Sequence, residues 1–455
     1  MQRSTVHETW SSRFTFVMAA VGSAVGLGNF WRFPYEAGQN GGAAFVIVYL
    51  VAVFFIALPV LMSEYVIGRR TGLSSIGAYE ALAKEAGYSP LWKVAGWVGM
   101  IAAFLIVTFY SMIAGWVMAY VPIFFSGDID GISYAQAEAK FGELVSNPSW
   151  VLGWHTAFMG LTAFVVARGL RGGIEVAANV LMPAFFIMLL GMVLYAAIVG
   201  NLGAAIQFLF TPDFSKLSVQ MFIEAIGQAF FSVGVGSAIM ITYGAYLTRE
   251  EKIASSAITV VGADTCVALL AGLAIFPLVF AVPSLEANGG PGLLFQTLPA
   301  AIGQLPGGSY VGGIFFTLAF FAALTSAISL FEPVVAWSED KLGLHRPEAS
   351  LRWGIVAWGV GIGSVLSTSV WSDFYPLNFG PFTEKTFFDV LDILTSNFLL
   401  PISGIVVSVF TGWVISEKVM RDELELSEPL FRAWQVMVRY VIPLVIGTLL
   451  ILLNF

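Results

Sequence analysis

Gly22-Ser-Ala-Val-Gly-Leu-Gly-Asn29 interrupts the first long apolar segment of the chain, near where the middle of a bilayer would lie. Gly22, Gly26 and Gly28 are poor helix formers, so a helix entering from Arg13 is expected to unwind here and leave backbone carbonyls and amides without helical partners. Lipid cannot satisfy such groups. They are tolerated at that depth only where they line a cavity or hold a ligand, which makes the stretch a candidate binding site inside a membrane.

Composition supports that setting. Of 455 residues, 58% are hydrophobic and 11% charged, a balance that reads as a polytopic membrane protein and not a water-soluble globule. Runs long enough to span hydrocarbon occur at about 13–36, 43–68, 93–121, 151–168, 173–200, 220–247, 253–283, 311–341, 351–369, 386–413 and 431–454, so eleven transmembrane helices are expected. The first run is followed at once by a second, which argues against a cleavable signal peptide. With the N-terminus in the cytoplasm, all Lys and Arg except Arg32, Lys140, Lys216 and Lys385 fall on the inner side. That is the positive-inside pattern of a cell (inner) membrane protein, and an odd number of spans puts the C-terminus outside. The outer loop at 122–150 is acidic, whereas 284–310 is neutral and punctuated by Gly and Pro, as in a lid that folds back over the bundle.

Other function classes are disfavoured. The net charge of −8 argues against a nucleic-acid partner. Cys266 stands alone, and His7, His155 and His345 are scattered without metal-ligand spacing, which argues against a disulfide framework and a metal-dependent enzyme. The expected partners are the lipid bilayer and a small molecule; nothing in the pattern specifies an oligomeric state.

The first break has an echo. The sixth run contains Phe231-Ser-Val-Gly-Val-Gly-Ser237, a second Gly-rich interruption five spans later. Paired interruptions in corresponding positions of two halves mark transporter sites built from inverted repeats, and an odd five-span unit returns in inverted topology. The expected organisation is one transporter domain over 1–455, with repeats at about 13–200 and 220–413 and an extra helix at 431–454. Alternatively, Gly22, Gly26, Gly234 and Gly236 only allow close helix packing.

The run Gly22-Ser-Ala-Val-Gly-Leu-Gly-Asn-Phe-Trp-Arg-Phe-Pro-Tyr35 closely resembles the neurotransmitter:sodium symporter family. So do Asn40-Gly-Gly-Ala-Ala-Phe45, Glu64 through Gly68-Arg69, Gly227-Gln-Ala-Phe-Phe-Ser232, Thr242-Tyr-Gly-Ala-Tyr246 and Ala322-Ala-Leu-Thr-Ser326. The resemblance implies an all-α polytopic membrane protein with a LeuT-type five-plus-five inverted repeat, broken first and sixth helices and eleven transmembrane helices. It implies a sodium-coupled symporter working by alternating access, not an enzyme. An amino-acid-binding membrane sensor and an ion channel are the alternatives.

By the same resemblance, two sodium sites are expected. One would use the carbonyls of Gly22, Val25 and Ala322 with the hydroxyls of Thr325 and Ser326. The other would use the Ala24 carbonyl, Asn29, Ser232, Asp264 and the substrate's own carboxylate. Family members that carry amines without a carboxylate have an acid at position 26; Gly26 here points to an α-amino acid. Its carboxylate would meet the Leu27 and Gly28 amides and the Tyr110 hydroxyl, and its ammonium the carbonyls of Ala24, Phe231 and Ser232. The side chain would lie among Ile106, Tyr110, Phe231, Gly234, Ser237, Ser326 and Leu330, where small Gly234 and Ser237 leave room for a large neutral, apolar or aromatic group. Asp264 departs from the family's usual Asn. Beside Tyr49, Gln228 and Ser232, it is expected to supply the fixed negative charge that chloride supplies in other members. Arg32 would gate the outer side with Asp392 or Asp389, above Phe231. Trp10, Tyr246 and Asp340 match the inner latch, with His7 in place of the usual arginine.

Overall fold

The computed structural model describes residues 8–282, 285 and 292–454. His7, the expected inner-latch residue, lies outside them. The described residues fold as helices. Nine are long and apolar enough to cross a membrane, and the bent pair at the first run makes ten.

The first run is α1 (Arg13–Ala24) and α2 (Arg32–Gln39), joined through a single 3-10 turn at Leu27–Asn29 and bent by 65°. Then come α3 (Ala43–Thr71), α4 (Pro90–Phe125), α5 (Pro148–Ala167) and α6 (Leu170–Val199). The sixth run, expected as one span over 220–247, is two short helices, α7 (Val219–Val233) and α8 (Ile239–Ala245). Counted as one broken span, they complete the eleven. The remaining helices of membrane-crossing length are α9 (Ile253–Val279), α10 (Gly308–Leu342), α11 (Arg346–Ser367), α12 (Phe387–Val414) and α13 (Glu428–Asn454).

Burial sorts these helices into an interior and a periphery. The most apolar windows of α4 and α10 are 72% and 78% buried, against 28% for α6 and 22% for α13. A helix apolar all round but mostly uncovered is stable only where its outer face meets lipid, so α6 and α13 form the lipid-facing rim. The interior pair α4 and α10 flank both broken helices. The loop at 122–150 carries its own helix, Tyr134–Ser146, started by Ser133 and Gln136 in a capping box. Within the neutral loop, Leu293–Gly303 is helical and buried, and Phe295 packs on Trp31, Trp116, Tyr120 and Phe141. At the far end of α3, Arg69 forms a buried ion pair with Glu423 at 2.8 Å and donates to the carbonyls of Glu251 and Glu423. An ion pair so enclosed is held by geometry: removing one partner strands the other charge.

Candidate functional site

The first break opens by extension. After α1, Val25 and Gly26 adopt extended backbone, and the chain re-enters a 3-10 turn at Leu27. The last carbonyls of α1 therefore leave the helical ladder. Ser326, on α10, sends its hydroxyl among them, with Oγ 3.2 Å from Gly22 O, 3.3 Å from Ser23 O and 3.0 Å from Val25 O. One proton cannot satisfy three carbonyls, so unmatched lone pairs remain gathered at one point. Thr325 is alongside: its Oγ1 donates to the Ala322 carbonyl at 3.1 Å, and a Cβ on Gly22 would lie 3.0 Å from Thr325 Cβ. Gly22, Val25, Ala322, Thr325 and Ser326 are thus brought together as a cluster of neutral oxygens, the donor type a hard cation prefers.

A second cluster forms where the chain restarts. Asn29 accepts the Gly26 N–H at 3.0 Å through Oδ1 and donates to Asp264 Oδ1 at 2.8 Å through Nδ2. Ser232 donates to Asp264 Oδ2 at 2.7 Å. Asn29, Ser232 and Asp264 are all buried, so the carboxylate is fully removed from solvent with a donor on each oxygen. The Tyr49 hydroxyl faces Asp264, Ser232 and Thr265 without reaching hydrogen-bond geometry, and both polar atoms of Gln228 are buried without a partner. Buried polar groups left unmatched cost about 1–3 kcal/mol each, so Tyr49 and Gln228 are available to a further partner. Ala24 is the buried last residue of α1.

Between the clusters lies the face of Gly26. A Cβ there would be 3.3 Å from Ser326 Oγ and 3.6 Å from the Tyr110 hydroxyl, and one on Gly28 would be 3.3 Å from the Phe231 ring. The Tyr110 hydroxyl, projected from α4 to the Leu27 backbone and Ser326, is buried with no hydrogen-bond partner. Ile106 and Leu330 are buried on α4 and α10.

The second break is made differently. Gly234, Gly236 and Ala238 take φ of +71°, +84° and +59°, so the chain passes through left-handed residues between α7 and α8. Nothing lies within 4 Å of where a Gly234 Cβ would stand. Ser237 turns its hydroxyl back onto the Gly234 carbonyl at 2.5 Å. The Gly236 N–H is held by Glu64 Oε1 at 3.0 Å, from a side chain fully buried in α3. Sequence reasoning gave Glu64 no role. The available signal was a lone carboxylate within an apolar span, which persists there only with a partner.

The ends of the path differ as well. Arg32 stacks over the Phe231 ring at 5.6 Å and, with Glu36, Glu224 and Ser396, lines a cavity of about 290 Å³. Asp392 is within electrostatic reach of Arg32 and accepts from Ser396 at 3.1 Å. Asp389 instead caps its own helix, accepting from the Thr386 N–H and hydroxyl. Among the described residues Arg32 makes no ion pair within 4 Å, so the expected outer pair is apposed, not closed. On the opposite face, the Trp10 N–H donates to the Tyr246 carbonyl at 3.1 Å and its indole to the Tyr243 carbonyl at 3.0 Å. The Tyr246 hydroxyl donates to Glu332 at 2.5 Å, and Arg346 bridges Glu332 and Glu339. Asp340, expected in this latch, accepts the Ser74 N–H at 2.6 Å. Glu332 and Arg346 were missed, although a glutamate deep in apolar α10 is again a visible signal.

Comparison with known proteins adds a family. The model of the Sodium:neurotransmitter symporter family matches residues 7–140 and 133–453. An uncharacterized sodium-dependent transporter of Bacillus subtilis (strain 168) is 40% identical, with 96% of this chain and 95% of that protein covered. One from Haemophilus influenzae is 34% identical over 96% of each. Among solved structures, that of MhsT in complex with L-phenylalanine is 37% identical and superimposes with a TM-score of 0.88, covering 98% of this chain and 99% of that one.

Proposed function

Because the chain belongs to the Sodium:neurotransmitter symporter family, we propose that this sodium-dependent multi-pass transporter carries a neutral, apolar or aromatic L-amino acid by alternating access. The observation that carries the reading is the Tyr110 hydroxyl, buried without a hydrogen-bond partner and 3.6 Å from where a Gly26 Cβ would stand. A substrate carboxylate there accepts from Tyr110 and from the Leu27 and Gly28 amides at the restarting helix, where a negative charge is favoured. The ammonium meets carbonyls of Ala24, Phe231 and Ser232. Its side chain extends over Phe231, Gly234 and Ser237 between Ile106 and Leu330. The L-phenylalanine bound by MhsT, at 37% identity, supports that size class.

Two sodium ions travel with it. One takes the neutral oxygens of Gly22, Val25, Ala322, Thr325 and Ser326. The other takes Ala24, Asn29, Ser232, Asp264 and the substrate carboxylate. Amino acid and ion share a coordination shell, so each raises the other's affinity by the same factor, and that reciprocity is the coupling. Asp264, with Tyr49 and Gln228 around it, supplies the negative charge that balances the second ion, so no chloride is required. A bundle containing the first and sixth runs, one from each of the repeats at about 13–200 and 220–413, rocks against the remaining scaffold, with Arg32 and Asp392 closing the outer side of a cell membrane and Trp10, Tyr246 and Glu332 the cytoplasmic side, where the N-terminus lies.

Uptake into proteoliposomes tests this directly. Labelled L-phenylalanine is expected to accumulate above its external concentration under an inward sodium gradient, in chloride-free medium, and to stop when the gradient is collapsed. Equal uptake in potassium, or no accumulation of any neutral amino acid, overturns the reading. Strict chloride dependence overturns the role of Asp264 alone.

A further inference from the structure

We propose that His155 is a positioning residue for the substrate site, setting the Tyr110 hydroxyl against the break in α1 through its bond to the neighbouring Ser111 on α4. The proposal rests on the reading of Tyr110 as a partner of the substrate carboxylate.

His155 projects from α5 and is completely buried. Its Nδ1 lies 2.9 Å from Ser111 Oγ on α4, and its Nε2 lies 3.2 Å from the Trp358 carbonyl on α11. A carbonyl only accepts, so Nε2 carries the proton and donates it; Nδ1 is then an acceptor, and the Ser111 hydroxyl shares its proton between Nδ1 at 2.9 Å and the Thr108 carbonyl at 3.1 Å. This tautomer leaves a neutral ring with both nitrogens satisfied. Glycines make room for it. A Cβ on Gly361 would come within 2.5 Å of the ring Cε1, and one on Gly115 within 3.0 Å of the His155 backbone nitrogen. Beside it, the Trp358 indole donates to Thr156 at 2.8 Å, a second strap between α5 and α11. An apolar side chain would fill the same space, but it would not direct a bond at Ser111.

Ser111 adjoins Tyr110 on α4, so a bond that fixes one fixes the direction of the other. A tyrosine hydroxyl stands roughly 9 Å from the axis of a helix whose Cα radius is about 2.3 Å. Rotating α4 by about ten degrees therefore moves that hydroxyl by about 1.5 Å, well beyond the tolerance of a hydrogen bond. Ser111 lies about 100° around α4 from Tyr110, so its bond to His155 adds to the packing of α4 in resisting that rotation.

The test measures sodium-dependent binding and uptake of labelled L-phenylalanine by the full chain. Ser111→Ala and His155→Leu are each expected to raise the half-saturating concentration about five- to tenfold while maximal uptake stays within about twofold. His155→Asn, whose amide oxygen takes the place of Nδ1 and accepts from Ser111, is expected to restore it. In a Tyr110→Phe background, neither Ser111→Ala nor His155→Leu should add anything, because the hydroxyl they aim is gone. Additive losses in that background, or His155→Asn as poor as His155→Leu, overturn the proposal. Should His155→Leu fail to fold, Ser111→Ala carries the same test with the ring in place. If Tyr110→Phe alone changes nothing, the site reading falls and takes the proposal with it. If Tyr110→Phe weakens binding while Ser111→Ala and His155→Leu bind as the parent does, the positioning role alone falls.

Discussion

The two breaks look alike as strings of small residues and are physically opposite. In the first, no residue from Val25 to Asn29 has positive φ; the chain leaves α1 by stretching, and the glycines provide clearance for Thr325, Ser326, Tyr110 and Phe231. In the second, Gly234, Gly236 and Ala238 are left-handed, and glycine is needed for its backbone. The first break is open to partners from α4 and α10. The second is locked by the Glu64 carboxylate and the Ser237 hydroxyl. One is therefore suited to exchange ligands, the other to hold a fixed turn that presents Phe231 and Gly234.

Methyl groups added to each break should have contrary consequences. Gly236→Ala puts a Cβ 2.8 Å from the Leu400 carbonyl at φ +84°, combining a left-handed penalty of about 1–2 kcal/mol with overpacking of about 1–3 kcal/mol. Thermal unfolding of the purified protein should show the largest loss of any substitution here, with uptake failing because the fold fails. Gly26→Ala demands no new backbone conformation. Its methyl instead meets Ser326 and Tyr110, so the melting temperature should hold while sodium-dependent L-phenylalanine binding falls by about tenfold or more. Equal destabilisation by both would erase the distinction.

The side chains that hold each break sharpen the contrast at smaller scale. Glu64→Ala strands the buried Gly236 N–H, a cost of about 1–3 kcal/mol, whereas Glu64→Gln keeps an acceptor and should recover most of it in the same unfolding assay. Ser326→Ala removes the hydroxyl shared by three carbonyls of the first break. Here the expected change is in function: about a fivefold to tenfold rise in the half-saturating sodium concentration with little change in melting temperature. A Ser326→Ala protein that melts early with normal sodium dependence would make the first break a structural turn like the second.

Much of this was legible in the sequence, for identifiable reasons. Both breaks, the order of the helices and the clustering of Gly22, Val25, Thr325 and Ser326 follow from glycine positions, apolar run lengths and a family resemblance carried by several separate motifs. What glycine does in each break was not, because clearance and positive φ look the same in a string of letters; the difference lies in which neighbours from α4, α10 and α12 approach. The gates show the same limit. Asp389 and Asp392 are three residues apart, the sequence puts Asp392 first with Asp389 as the alternative, and the capping box at Thr386 assigns Asp389 to its own helix. On the other face, Glu332 and Arg346 lie fourteen positions apart on separate helices, and it took the fold to join them to Tyr246.

The smallest expected effect is the most specific to the second break. Ala238 is the one residue there that holds a left-handed conformation with a side chain, φ +59°. Ala238→Gly relieves about 1–2 kcal/mol of left-handed strain. It also gives the unfolded chain freedom worth about 0.4–1 kcal/mol and removes a buried methyl worth about 0.8 kcal/mol. These terms nearly cancel, so the melting temperature should stay within about 2 °C of the parent, since 1 kcal/mol moves the midpoint of a large domain by about 2–4 °C. Gly236→Ala, two residues away, should cost several times more. If Ala238→Gly instead lowers stability as much, the methyl packed near Gly99 matters more than the backbone, and the second break, like the first, is governed by what its neighbours leave room for.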